Sequence, residues 1–577
     1  NHRNPTVPGN PPGKVYNRLH DPADYADTDV LVVGGGDSAL EAAIALAQSG
    51  ARVTLSYRQP EFNRPKPENI EQMERLRARG ALTLEMGSRV LRIEERSVVI
   101  RRADGTPITL PNDHVFTMIG RDAPLSFFRK SGVAIRGEKR VGWWLTLLLM
   151  LAVFTFLYQV KKPGTFLPIA EWWEAQRLFP HNLGPILGSI SSAFDRPGNL
   201  LGTIRLSVAG IEGKTGAAPG FWFSLMYTTL IVVFGIKRIR RRKTPYITVQ
   251  TSALMAFQVI PLFMLPYIVL PWMGHNGWFD AGIGQTIANN LFPVADYDAH
   301  GREYWRAFGL ILAWPLFLWN VFTGEPLVWW LVISLVQTFV LIPLIIYFWG
   351  KGAYCGWICS CGAMAETLGD THRHKMPHGP FWNRMNFIGQ AFLGIALLLL
   401  VLRIIGWIFP DSAAVRVYTG LLNTSQYGGY LPVLNYAWFV DLFWAGILGF
   451  GLYFHFSGRV WCRFACPLAA LMHIYHRFGR FAILADKSKC ISCNVCTTVC
   501  HQGIDVMSFA NKGKPMIDPQ CVRCSACVQS CPTGVLSFGQ IDKQGNAIAH
   551  DPAWLAASPV RMRESRPMPL TIKGRAV

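Results

Sequence analysis

The first 354 residues contain no cysteine; all thirteen lie between Cys355 and Cys531. That asymmetry excludes a disulfide framework from the N-terminal half and confines thiolate chemistry to the C-terminal part. Acidic residues are also scarce, 36 against 56 Lys and Arg, which gives a formal net charge of +20. Such a surplus can mean nucleic acid, yet the bases stand largely beside apolar stretches, as in Lys237-Arg-Ile-Arg-Arg-Arg-Lys243. A positive-inside flank accounts for that placement, and no nucleic-acid partner is expected. No secretory signal opens the chain, which begins at Asn1, and the expectation is a piece whose natural start lies upstream.

Apolar residues are abundant. Half the 577 residues are hydrophobic, including 20 Trp and 35 Phe, and mean hydropathy is positive. Membrane spans follow, with lipid as a partner, together with several domains. Seven apolar stretches stand out: 141–160, 221–236, 248–271, 307–322, 327–349, 387–409 and 437–456. The expected location is the inner membrane, with the nucleotide and cysteine-run domains on the cytoplasmic side. Three stretches separate Lys243 from Cys355, an odd number that would put Cys355 on the wrong side. One of them must fail to span: either 248–271, interrupted by Pro261 and Pro266, or 307–322, short and containing Pro315.

The most specific signal is Cys490-x2-Cys493-x2-Cys496-x3-Cys500, repeated as Cys521-x2-Cys524-x2-Cys527-x3-Cys531-Pro532. Zinc sites favour paired C-x2-C rather than four-cysteine runs. The stretch resembles the bacterial two-cluster ferredoxins, whose runs have this spacing and exchange their fourth cysteine. The resemblance implies two [4Fe–4S] clusters. Cys490, Cys493, Cys496 and Cys531 would hold one, and Cys521, Cys524, Cys527 and Cys500 the other. The first run departs by ending Cys500-His501 instead of Cys-Pro. Clusters need reduced thiolates, hence a reducing compartment.

Near the N-terminus, Asp29–Val33 is a short apolar run. Gly34-Gly35-Gly36-Asp37-Ser38-Ala39, a helical pattern to Gln48 and a second strand at Arg52 follow it. Strand, G-x-G-x-x-A, helix and strand make a dinucleotide-binding βαβ unit. Its glycines let a pyrophosphate approach the helix N-terminus. No acid stands at the tip of the second strand; Arg58 and Arg64 do, which favours NADPH over NADH. The segment resembles the pyridine-nucleotide domain of the thioredoxin reductase family over about residues 5–135, through Val32–Ala39, Glu41, Tyr57-Arg58, Phe62 and Val115–Arg121. The family's redox C-x-x-C is missing, so disulfide reduction is not expected. Its flanking FAD domain is missing too. Hydride carriers and one-electron clusters need a flavin between them, so FAD is expected from residues upstream or from a partner.

Two further motifs follow membrane stretches: Tyr354-Cys355-x3-Cys359-Ser-Cys361 and Trp461-Cys462-x3-Cys466-Pro467. With the ferredoxin run they resemble polytopic iron–sulfur proteins that serve periplasmic nitrate and nitrous oxide reductases or cytochrome oxidase assembly, over about residues 300–540. Ser360 stands where that family has proline, and Cys361 is extra. Cys355, Cys359, Cys462 and Cys466 can hold a third cluster or act as redox thiols; buried apolar cysteines are the bland alternative. His372, His374 and His378 can bind metal, but a charged loop explains them better. Asp441 and Arg403, inside apolar stretches, are candidates for proton or quinone handling.

The expected architecture is a linker (1–27) and an α/β Rossmann-type domain (28–135), then an all-α polytopic membrane domain (141–480). A small α+β two-cluster domain (481–541) and a disordered tail (551–577) complete it. The expected function is electron transfer between NADPH and a membrane or periplasmic acceptor, with a redox partner protein. The alternative is an accessory metallo-reductase that matures another respiratory enzyme, its nucleotide domain being structural.

Overall fold

A computed structural model describes residues 8–9, 11, 13–62, 64–120, 124–133, 135, 138–139, 141–161, 169–179, 182, 198–209, 220–295, 301–317, 327–422 and 436–550. The expected disordered tail lies outside the described residues.

The N-terminal domain is built on a five-stranded parallel sheet. Its strands are β1 (Val15–Tyr16), β2 (Asp29–Val33), β3 (Arg52–Tyr57), β4 (Leu82–Met86) and β8 (His114–Thr117), ordered β1-β8-β2-β3-β4. Alternation along β2 sends Val30 and Val32 to one face, against Leu40, Ala43 and Ile44 of helix α1 (Asp37–Gln48). Leu31 goes to the other face, against Ile93, Val98 and Ile100. Those three come from an antiparallel sheet of β5 (Arg89–Ile93), β6 (Ser97–Arg101) and β7 (Pro107–Pro111). Burial on both faces is why β2 reads as a continuous apolar run.

The linker expectation is corrected here. β1 pairs with β8, Tyr16 stacks on Phe116 at 5.5 Å, and buried Lys14 donates to the carbonyls of Glu94 and Asn112 at 2.5 and 2.7 Å. A two-residue strand has too short a pattern to be read from sequence.

Among the described residues, five helices are long and apolar enough to cross a membrane: Val141–Val160, Gly220–Arg242, Pro245–His275, Val328–Trp349 and Pro380–Ile408. A shorter apolar helix, Leu442–Phe456, precedes Cys462. Pro261 and Pro266 do not break their helix. The backbone widens to π-type turns over Ile260–Val269, which absorbs the missing N–H groups. The 307–322 stretch instead holds a short 3₁₀ turn, Tyr304–Leu310, and no long helix among its described residues. Among the described residues, two long helices stand between Lys243 and Cys355, an even number.

The C-terminal domain has three antiparallel strands, Phe481–Ala485, Leu536–Ile541 and Ala547–His550, so it extends past the expected boundary at 541. Its core includes Tyr246 and Ile247 from the start of a membrane helix. Tyr246 packs 5.3 Å from Phe538, and its hydroxyl donates to the Arg523 carbonyl at 2.5 Å. The cysteine runs are thus seated on the membrane domain.

Candidate electron-transfer sites

The two ferredoxin-type runs fold alike. Ser492 and Asn494 flank Cys493 with φ of 55° and 62°; Arg523 and Ser525 flank Cys524 with φ of 47° and 62°. Left-handed residues on both sides of a cysteine curl the backbone around a common centre and turn its N–H groups inward, a concavity suited to an anionic iron–sulfur core. Four thiols gather at each centre. Cys490, Cys493 and Cys531 lie within electrostatic reach of Cys496, while Cys500, Cys521 and Cys524 lie within reach of Cys527. The fourth cysteine of each run joins the other run's first three, as the resemblance implies. A small cavity is lined by Cys500, Cys521, Cys524 and Cys527. Backbone donors aim at sulfur, as from Val535 N to Cys531 Sγ at 3.3 Å. Burial pushes Cys496 up to about 12 and Cys500 up to about 11. These thiols therefore ionise only against a strong local cation, which iron supplies. The donor set fits the clusters.

The two C-x3-C motifs converge although more than 100 residues separate them in the chain. Cys355, Cys359 and Cys466 share one core with Leu468 and Met472, and Cys361 packs against it. Cys462 lies within electrostatic reach of Cys466, Cys359 and Cys355. Each motif ends at a helix N-cap: Cys359 caps Ser360–Glu366, and Cys466 caps Pro467–His476 while accepting from Ala469 N at 3.4 Å. Ser360 and Pro467 thus hold the same first-turn position, so the missing proline leaves the motif's geometry intact. Burial pushes Cys355 up to about 12 and Cys466 well up. A hydrogen bond from Cys361 brings Cys359 down to about 7.

Charged residues absent from the sequence reading surround these thiols. Lys351, fully buried, has its Nζ 2.7 Å from His473 Nε2. Arg459 donates to the Cys355 carbonyl at 3.2 Å and reaches Cys462 Sγ at 3.7 Å. Glu366, wholly buried, pairs with Arg459 at 2.6 Å, Arg238 at 2.8 Å and Arg373 at 2.5 Å. Burial alone would raise the Glu366 carboxyl; the arginines hold it well below the usual range. The available sequence signal was a base just ahead of each C-x3-C motif, Lys351 and Arg459.

At the nucleotide turn, Gly34 has φ of 151°, and a Cβ there would lie 2.5 Å from the Met118 carbonyl oxygen. A Cβ on Gly35 would meet the Tyr57 ring at 2.2 Å, and Tyr57 stacks on Phe62. Gly36 caps α1 and faces open space, leaving the helix N-terminus approachable. Asp37 is committed elsewhere, accepting from Lys66 N at 2.7 Å and Asn69 Nδ2 at 2.8 Å. Ser38, Arg58 and Arg64 are exposed. The loop after β3 touches the ferredoxin-type domain: Glu61 pairs with Lys512 at 2.5 Å, and the Arg64 carbonyl accepts from Asn511 at 3.4 Å. Asn511 Oδ1 in turn lies 2.9 Å from Cys490 Sγ.

The histidine loop makes its described contacts with protein groups. His378 contacts the carbonyls of Met376 and Thr497 at 2.8 and 3.0 Å, tying the loop to the first run. His372 packs edge-on against Phe454, and burial brings it down to about 4. Arg403 lies over Trp407 and Tyr418. The side chain of Asp441 is not among those described.

Comparison with known proteins agrees with these sites. Residues 1–143 match the pyridine nucleotide-disulphide oxidoreductase family, and residues 482–532 match a 4Fe-4S dicluster domain. A 4Fe-4S binding domain matches twice, at 327–377 and 434–484. Each copy contains a helix leading into one C-x3-C motif. The bacilliredoxin reductase Bdr of Bacillus subtilis is 39% identical over 23% of this chain and 41% of its own length. Protein NirI of Paracoccus denitrificans is 27% identical over 63% of this chain and 51% of its own. Regulatory protein NosR of Pseudomonas aeruginosa is 25% identical over 57% and 42%. The chain thus spans about half or less of each. It joins a pyridine-nucleotide-type N-terminal domain to membrane-length helices and 4Fe-4S-type cysteine motifs.

Proposed function

We propose that the chain passes electrons between NADPH and a membrane or periplasmic acceptor, with a flavin as converter. Cys490, Cys493, Cys496 and Cys531 hold one [4Fe–4S] cluster, and Cys500, Cys521, Cys524 and Cys527 a second. Cys355, Cys359, Cys462 and Cys466 hold a third. Each cluster supplies one-electron exchange. A flavin, taken from a partner or a further segment, would supply the conversion between a two-electron hydride donor and one-electron clusters. The glycine turn seats the pyrophosphate, and Arg58 and Arg64 stand where a 2′-phosphate would lie.

One observation carries this reading: the loop that would read the nucleotide touches Asn511, and Asn511 touches Cys490. The test is anaerobic stopped-flow absorbance with NADPH and added FAD on the purified chain. The expected result is bleaching of iron–sulfur absorbance within turnover time; clusters that stay oxidised rule out the nucleotide as donor. A second reading rests on Cys359 and Cys361. That pair suits closure to a disulfide, with two electrons passing to the metal centre of the enzyme being matured and two protons to solvent, the chemistry of an accessory reductase. Iron at about eight per chain, instead of about twelve, would favour it.

A further inference from the structure

One ion cluster lies between the membrane-surface thiols and the second ferredoxin-type set. Glu366 sits at its centre, at the end of the short helix capped by Cys359. Its Oε1 meets Arg459, which reaches Cys462 and the Cys355 carbonyl. Its Oε2 meets Arg373, whose positive charge lies close to Cys524. Glu366, His501 and Cys524 present ligand-type atoms within 4.8 Å of one another. His501 is the residue that replaces proline after Cys500, and it lies 3.6 Å from Glu366. Proline there would place an apolar ring beside a buried carboxylate. Histidine adds a polar contact instead, so the motif's departure belongs to this cluster.

The charge count points the same way. Arg238, Arg373 and Arg459 are buried with only Glu366 and Asp370 against them, and Lys351 adds a further buried cation beside Cys355, Cys462 and Cys466. A buried positive surplus is unfavourable on its own. It is offset when anionic iron–thiolate centres sit on both sides.

We infer that Glu366, held between Arg459 and Arg373, couples the membrane-surface thiol set to the Cys500/Cys521/Cys524/Cys527 set, so that one shared buried charge sets the reduction potential of both. Glu366 is a positioning residue: it acts through Arg459 and Arg373, whose guanidinium groups it fixes beside the two sets. Charge and hydrogen bonds at cluster sulfurs are established determinants of potential. This inference rests on the reading that both sets hold clusters.

The experiment is an EPR-monitored redox titration of the full chain in lipid nanodiscs, with iron per chain measured alongside. Glu366→Gln removes a negative charge beside both sets, so both midpoint potentials rise while the Cys490/Cys493/Cys496/Cys531 signal stays in place. Arg459→Gln supplies the sharper comparison. Arg459 sits against the membrane-surface set and Glu366, yet its removal lowers the potential of the second ferredoxin-type set together with that of the membrane-surface set. Should Glu366→Gln fail to assemble, Arg459→Gln and Arg373→Gln carry the test. Wild-type iron with unmoved potentials at the distant set overturns the coupling, since a merely structural role changes iron content without moving a potential. A wild-type chain without iron overturns the functional reading instead.

Discussion

The two kinds of cysteine site are built by opposite means. In the ferredoxin-type domain, short loops with left-handed residues gather three thiols each, and exposure varies from buried Cys496 to exposed Cys493. At the membrane surface the thiols come from two pairs of short helices more than 100 residues apart, Cys359 and Cys466 as N-caps and Cys355 and Cys462 within the preceding helices, and all four are buried. The first kind is local and tolerates water. The second depends on helix packing and on buried charges that hold the packing together.

That contrast is broken most severely at Glu366. Replacing it with Ala removes the carboxylate that three buried arginines share, at a cost of about 3–5 kcal/mol. Unfolding temperature and iron content should both fall. Next in size, Cys462→Ser and Cys493→Ser should each remove about four irons per chain. Cys361→Ser should remove none if Cys361 is the spare thiol.

The pH response of metal-free chain sharpens the comparison further. Cys355 and Cys496 have folded values raised to about 12. Between their ordinary value near 9 and that point the folded state keeps protons that the unfolded state has lost, so stability is full below pH 9 and falls as pH climbs toward 12. The slope is roughly 1.4 kcal/mol per pH unit for each such thiol. Fluorescence-detected unfolding across that window checks it, and iron binding should abolish the trend. Glu366 acts at the other end: its carboxyl is held low, so its contribution is present above the ordinary carboxylate range and is lost as pH falls below it.

Smaller effects belong to the nucleotide domain. Gly36→Ala meets no atom within 4 Å and should fold normally, yet a methyl group at the turn should weaken NADPH binding about tenfold by calorimetry. Lys512→Ala removes an exposed pair with Glu61 and should leave stability unchanged. It tests only whether cluster reduction by NADPH slows when the domains lose that contact.

The spacing of the cysteines, the glycine turn and the apolar stretches were legible because each is a local pattern with a local cause. The odd span count was legible too, but not its resolution. Prolines at 261 and 266 look like a break until tertiary packing accepts a π-type helix, and the 307–322 stretch looks like a span, yet its described start lies in the 3₁₀ turn Tyr304–Leu310. β1 was missed because its two residues are specified by β8, not by their own sequence.

By itself, then, the chain's order of residues determined three domains, the eight ferredoxin-type thiols and the nucleotide turn. Periodicity and short-range spacing encode all of these. Only the tertiary structure decided that two distant C-x3-C motifs form one site, that Cys361 joins it, and that Glu366 lies between it and Cys524. Those facts depend on which helix ends meet. Buried charges such as Lys351, Arg459 and Glu366 carry no pattern that announces their partners.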